Sequence, residues 1–238
     1  MRLPLFFGLK HKIMMILDRV VPFGRSKAEY ELMFALTESD RQKSIIGIGD
    51  GPASFNAEMT AAGYQVVSID PIYQFTADEI KSRFDACVDN IIEQICNTPN
   101  NWVWSYHKSP EDLRANREKA IAIFLEDYDR GKIEGRYINV ELPKLDFIDH
   151  QFQLALCSHF LFLYSDHLSF DFHLDSIREL CRIAREVRVF PLLTLAQVRS
   201  PYINEICNTL AKEGISSEIN QVPYELQKGG NQAIVFRQ

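Results

Sequence analysis

Hydrophobic and polar positions fall into two rhythms along this chain of 238 residues. Short apolar runs bounded by turn residues read as strands at 44–48, 65–69, 136–140, 151–157 and 186–191. Between them, apolar residues recur every three or four positions, which is the period of a helix with one buried face. Helices are predicted at 10–20, 26–37, 54–62, 76–96, 171–184 and 201–214. In the longest of these, Ile80, Phe84, Val88, Ile91, Ile92 and Ile95 share one face. Two last strands, at 215–222 and 231–237, are joined through Lys228-Gly229-Gly230. The predicted class is α/β: a doubly wound, mostly parallel seven-stranded sheet closed by a C-terminal antiparallel hairpin.

The alternation stops between about 97 and 134. A turn cluster, Asn97-Thr-Pro-Asn-Asn, leads to the aromatic patch Trp102-Val-Trp104-Ser-Tyr106-His107. Ser109-Pro110-Glu111-Asp112 is a strong helix start, with proline at the first helical position and acids in the first turn. A segment this long exceeds an ordinary connection, so it is expected to be a helical insert, either a lid or an acceptor-binding subdomain. The domain plan is an N-terminal helical segment over 1–40 and a main domain over 41–238 that carries the insert.

An apolar fraction of 46% can build a sizeable core. The net charge of -6 argues against a broad phosphate-binding surface, so nucleic acid is not expected as a partner. The five cysteines are scattered and contain no C-x-x-C pair, which fits neither a zinc site nor a disulfide framework and favours a reducing cytoplasm. The N-terminal apolar run is broken by Lys10, His11 and Lys12 and lacks the cleavage pattern of a signal peptide. No stretch approaches the roughly 18 apolar residues of a membrane span.

The chemistry concentrates where the first strand runs into Gly47-Ile-Gly49-Asp50-Gly51-Pro52-Ala53 and the second stops at Asp70-Pro71. Glycines let a backbone turn tightly beside a ligand, and an acid ending the second strand can accept both hydroxyls of a ribose. A dinucleotide fingerprint needs a third glycine at position 52 or 54, and Pro52 and Ser54 stand there instead. That spacing disfavours the alternative of an NAD-dependent oxidoreductase. It resembles motif I of the class I S-adenosylmethionine-dependent methyltransferases, and the C-terminal hairpin resembles their sheet.

The resemblance implies S-adenosyl-L-methionine as cofactor, held by Gly49, Asp50, Gly51, Asp70, Pro71 and Ile72. It also implies Glu141 on the adenine amino group, the Leu142 N–H on the ring, and Cys157 and Ser158 among the cofactor-binding residues. The chain departs from the family at Gly47, where many members carry an acid, and at Ala53, where the last glycine would be. The implied activity is methyl transfer to an acceptor, a small molecule first and a protein second. The alternative is a non-catalytic S-adenosylmethionine-binding sensor or scaffold.

His159 follows the fourth strand and is the candidate catalytic base, against a purely structural histidine. Phe152–His159 lacks the (Asp/Asn)-Pro-Pro-Tyr sequence of enzymes that methylate nucleic-acid amino groups. Asp166, His167, Asp171 and His173 cluster in sequence without the spacing of a metal site, and Asp171 reads as a helix cap. No metal is expected. Arg25 and Tyr30 precede the first strand, where the family's N-terminal helix often covers the cofactor; both read equally well as surface and core residues.

Overall fold

The computed structural model describes Leu17 and residues 20–238; the helix expected over 10–20 lies almost wholly outside them. Ser26 caps α1 (Lys27–Met33), and Glu29 completes a reciprocal capping box. A second box, Thr37 with Asp40, starts the short α2 (Glu38–Arg41). The helix expected over 26–37 ends early, at Met33, and α2 begins just beyond that range, where Thr37 serves as its cap. The order continues as β1 (Ile45–Ile48), α3 (Phe55–Ala61), β2 (Val66–Ile69), α4 (Ala77–Cys96), α5 (Pro110–Ile133) and β3 (Tyr137–Ile138). It ends as β4 (Leu154–Ser158), α6 (Phe170–Ile183), β5 (Glu186–Phe190), α7 (Ile203–Lys212), β6 (Ser216–Gln221) and β7 (Gln232–Arg237). Among the described residues no helix is long and apolar enough to cross a membrane.

The seven strands form one sheet in the order β3-β2-β1-β4-β5-β7-β6. The first five run parallel, and β7 is antiparallel to both β5 and β6. Strand pleating sends alternate side chains to opposite faces. Ile45, Val66, Leu154 and Leu156 join the core under α1, α3, α4 and α5, whereas Ile46, Ile48, Ile69, Ala155 and Cys157 join that under α6 and α7. Ile48 pairs in register with Ile69 and with Cys157, and Ser158 with Phe190. The carboxyl ends of β1, β2, β4 and β5 therefore finish along one edge, where an open sheet binds ligands.

Residues 97–134, expected to stand apart as an insert, are built into this core. Leu113, Ile121, Phe124 and Tyr128 of α5 are buried with the residues of α1, α3 and α4. The Tyr128 hydroxyl donates to the Tyr73 and Phe75 carbonyls at 3.0 and 2.9 Å, so α5 also fixes the turn that follows β2. The segment holds one long helix, α5, after the short 3-10 turn Pro99–Asn101.

Four segments meet at Glu29, whose side chain is fully buried. Arg117 of α5 donates to both its oxygens at 2.7 Å, the Tyr224 hydroxyl donates at 2.9 Å, and the His107 ring lies 3.1 Å away. The Ser26 N–H donates at 2.9 Å. Burial alone would raise this carboxyl, but the Arg117 guanidinium and the His107 contact hold it well below the ordinary range. Removing one partner of a buried ion pair strands the other. Glu29→Ala is expected to destabilise the protein by about 3–5 kcal/mol, read as a lower urea midpoint with unchanged slope; a loss below about 1 kcal/mol would show that the cluster is dispensable.

Candidate functional site

The turn after β1 depends on two glycines in the left-handed region, Gly49 at φ +63° and Gly51 at φ +54°. A Cβ on Gly51 would meet open space, with Asp70 Oδ2 the nearest atom at 3.9 Å. Close approach of a ligand is thus possible at this position. Asp70 leaves β2 and caps the 3-10 turn Pro71–Gln74. Its Oδ2 accepts the Gly51 N–H at 2.9 Å and its Oδ1 the Ile72 N–H at 2.8 Å. Both oxygens are fixed, and each keeps a second lone pair. Desolvation raises the Asp70 carboxyl to about 6 against the pull of these two N–H groups.

Asp50 points away from the turn and is buried. Its Oδ1 accepts from the Tyr30 hydroxyl at 2.7 Å and its Oδ2 from the Ser68 hydroxyl at 2.6 Å. Burial pushes its carboxyl up to about 7, and the nearby charge of Asp70 adds to the rise. A Cβ on Gly47 would overlap the Asp50 carboxylate. The space that the acid at position 47 would fill in the motif is thus taken by the carboxylate of Asp50, three residues on.

Two adjoining hollows open at this edge. The larger, about 680 Å³, runs from Gly49, Gly51 and Asp70 past Ile72 and the α4 face to Ser158, His159 and Arg25. The smaller, about 320 Å³, is lined by Ile48, Ile69, Glu141, Leu142, Phe160 and Phe172. Gly49, Asp70 and Pro71 border both. Together they have the size and mixed lining of a small-molecule site. Of the residues expected here, Gly49, Asp50, Gly51, Asp70, Pro71, Ile72, Glu141, Leu142, Ser158 and His159 come together. Cys157 does not: its side chain is fully buried on the α6 and α7 face.

His159 holds φ at +51°, unusual for a residue with a side chain. Its N–H donates to the Phe190 carbonyl at 2.6 Å, and Nδ1 lies 3.0 Å from the Ser158 hydroxyl. Burial, then the charges of Arg25 and Arg117, hold its pKa well below the ordinary value, so the ring is neutral. Ser169, not Asp171, caps α6. His173 is buried with its ring nitrogens on the Ser169 and Leu161 carbonyls, at 2.7 and 2.9 Å. Among the described residues no group of three or more His, Cys, Asp or Glu side chains is placed to hold a metal ion.

Sequence reasoning missed how the segment before α1 lies against the glycine turn. The Ser54 N–H donates to the Arg25 carbonyl at 3.1 Å, and a Cβ on Gly24 would overlap the Pro52 backbone. No periodicity marks such a contact. The Tyr73 hydroxyl donates to the Gly51 carbonyl at 2.8 Å from below, which an ordinary core tyrosine would not advertise either.

A carboxyl whose folded pKa exceeds its unfolded value stabilises the fold at low pH and loses that contribution as pH rises through the folded pKa. Asp50 should therefore cost about 2 kcal/mol between pH 5 and pH 8. Asp50→Asn is expected to narrow the fall in unfolding free energy over that window, measured by urea titration at both pH values. An identical pH dependence in the two proteins would mean that Asp50 is charged throughout.

No family model matches the chain. A protein of Methanocaldococcus jannaschii, described as uncharacterized protein MJ0045, is 33% identical over 222 residues, which cover 93% of this chain and 97% of the relative. Similar solved structures include magnesium protoporphyrin IX methyltransferase of Synechocystis PCC 6803 with bound SAM, at TM-score 0.45 and 13% identity over 89% of this chain and 77% of that one. Another is 1,6-didemethyltoxoflavin-N1-methyltransferase of Burkholderia thailandensis, at TM-score 0.46 and 11% identity over 88% and 75%. The chain belongs to the family of the Methanocaldococcus jannaschii protein, and its sheet has the parallel strands and inserted antiparallel seventh strand of the class I methyltransferase fold.

Proposed function

We propose that the protein binds S-adenosyl-L-methionine along this edge and transfers its methyl group to a small-molecule acceptor. The observation that carries the reading is the Asp70 carboxylate. It is fixed by two backbone N–H groups, borders both hollows, and stands beside a glycine whose missing side chain leaves room for a ligand. A ribose supplies the two O–H donors that its remaining lone pairs would accept. Pro71 and Ile72 form the wall beside it, and the smaller hollow, with Glu141 and Leu142 at its rim, suits a flat base among apolar side chains. Gly49, Gly51 and Ser158 border the rest of the path, with Asp50 holding the turn from behind.

Once bound, S-adenosylmethionine supplies an electrophilic methyl group on a sulfonium. The protein's part is then to hold the acceptor in line and to keep water away. His159 lies at the far end of the larger hollow from the adenine rim, and its neutral ring can take a proton from an acceptor that carries one.

The product analogue S-adenosylhomocysteine tests the reading without knowledge of the acceptor. Asp70→Ala should weaken its binding by about 1.5–3 kcal/mol, the worth of hydrogen bonds to a charged group. The pH dependence is a sharper check. Hydroxyl donors favour the ionised carboxylate, so affinity should fall as pH drops through the free-protein value near 6. Calorimetry should find binding about tenfold weaker at pH 5 than at pH 8, and a flat profile in Asp70→Asn. Equal binding by parent and Asp70→Ala would remove Asp70 from the site.

A further inference from the structure

Behind His159 a second, inner cavity of about 80 Å³ opens off the cleft. Phe23, Trp102, Phe190, Leu195 and Leu226 give it apolar walls. Val21, Phe23, Arg25 and His159 border both it and the outer cleft, so they form the throat between the two. Two buried polar atoms on its wall lack a hydrogen-bond partner among the described residues: Arg25 Nε, a donor, and Gln227 Oε1, an acceptor. Arg25 makes one hydrogen bond, to the Phe23 carbonyl at 2.8 Å, and no ion pair among the described residues. Glu29, the carboxylate whose charge acts on Arg25, is already saturated by Arg117, Tyr224 and His107. Arg25 is thus left without a carboxylate of its own, and burial followed by repulsion from Arg117 lowers it to about 10.

A cation with a buried, unpartnered Nε and no anion is costly, and an anionic ligand at the throat would relieve it. We infer that this inner cavity is the acceptor pocket, and that it takes a short aliphatic monocarboxylate. The carboxylate sits on Arg25 at the throat, the carbon chain fills the cavity, and a terminal hydroxyl or amine donates to Gln227. A single cation among apolar walls suits a monoanion, not a phosphate. The volume is that of roughly three waters in the liquid, which favours three or four carbons over a ring. The inference rests on the methyltransferase reading for its outcome. One carboxylate oxygen forms the new C–O bond while the methyl–sulfur bond breaks with its electron pair on sulfur, and no proton moves. The product ester has lost the charge that held it to Arg25.

The test uses 4-hydroxybutyrate, butyrate and the neutral 4-hydroxybutyramide, titrated calorimetrically and by tryptophan fluorescence into the full chain without cofactor. The hydroxy acid should bind best, butyrate more weakly and the amide at least about tenfold more weakly than the hydroxy acid. Arg25→Met should lose the preference for acid over amide, Arg25→Lys should retain part of it, and Gln227→Leu should erase the advantage of the hydroxyl. Circular dichroism checks that each variant folds. Absence of binding at millimolar concentration, or equal binding of acid and amide by the parent, would overturn the inference. S-adenosylhomocysteine titrated into the same parent protein tests the cofactor reading separately, so either idea can fail alone.

Discussion

The buried carboxylate of Glu29 is the constraint on which the site depends. An isolated charge could not survive where Glu29 sits. It is tolerated because each oxygen receives charge-assisted or hydroxyl donors from α1, α5, the loop before α5 and the loop before β7. That geometry ties the first helix to the last loop of the chain. The segment before α1 is fixed in turn, since Ser26 caps the helix through the same carboxylate and Arg25 stands next to it. The glycine turn then has a lid of known position. Gly24 lies flat on Pro52, and the Tyr30 ring stacks on Phe55 at 4.3 Å while its hydroxyl reaches Asp50.

Charge is divided along the cleft. Asp50 and Asp70 stand at the ends of β1 and β2, whereas Arg25 lines the far end of the cleft with Ser158 and His159, which follow β4. Desolvation weakens both sets of charges, raising the acids and lowering Arg25. A ligand that is positive or rich in O–H donors at one end and negative at the other relieves both penalties at once. A neutral ligand relieves neither, which gives the cleft a direction that its shape alone does not.

Much of the fold was legible because each element carried its own local signal. The boundaries of α4 were readable from Thr76, whose capping box with Glu79 starts the helix, and those of α5 from Ser109 and Pro110. Gly49, Gly51 and Asp70 were readable as a site because backbone freedom and a strand-ending acid are written in residue type. What stayed hidden was set by contacts between distant segments. The burial of Cys157 follows from pleat parity, which a one-residue change of strand register reverses. The place of α5 in the core was masked by its weak amphipathicity, as its one buried face carries Arg117, Asp127 and Gly131 among the apolar residues. The left-handed backbone of His159 has no signature at all in a histidine.

Gly47 and Asp50 show how a strand residue and a turn residue can compete for one space. Gly47 faces the α1 side of the sheet, where Ser68 of the neighbouring strand and Tyr30 of the helix already supply two hydroxyl donors. A side chain at 47 would have to share that space with Asp50, and no rotamer escapes the overlap because the Cβ itself collides. Glycine at 47 and aspartate at 50 are therefore one choice, not two. The acid arrives from the turn rather than from the strand, so its position depends on the left-handed residues on either side of it, Gly49 and Gly51. A carboxylate so placed is held by the conformation of the loop it helps to define, and its raised pKa is the consequence of reaching back into the core to do so.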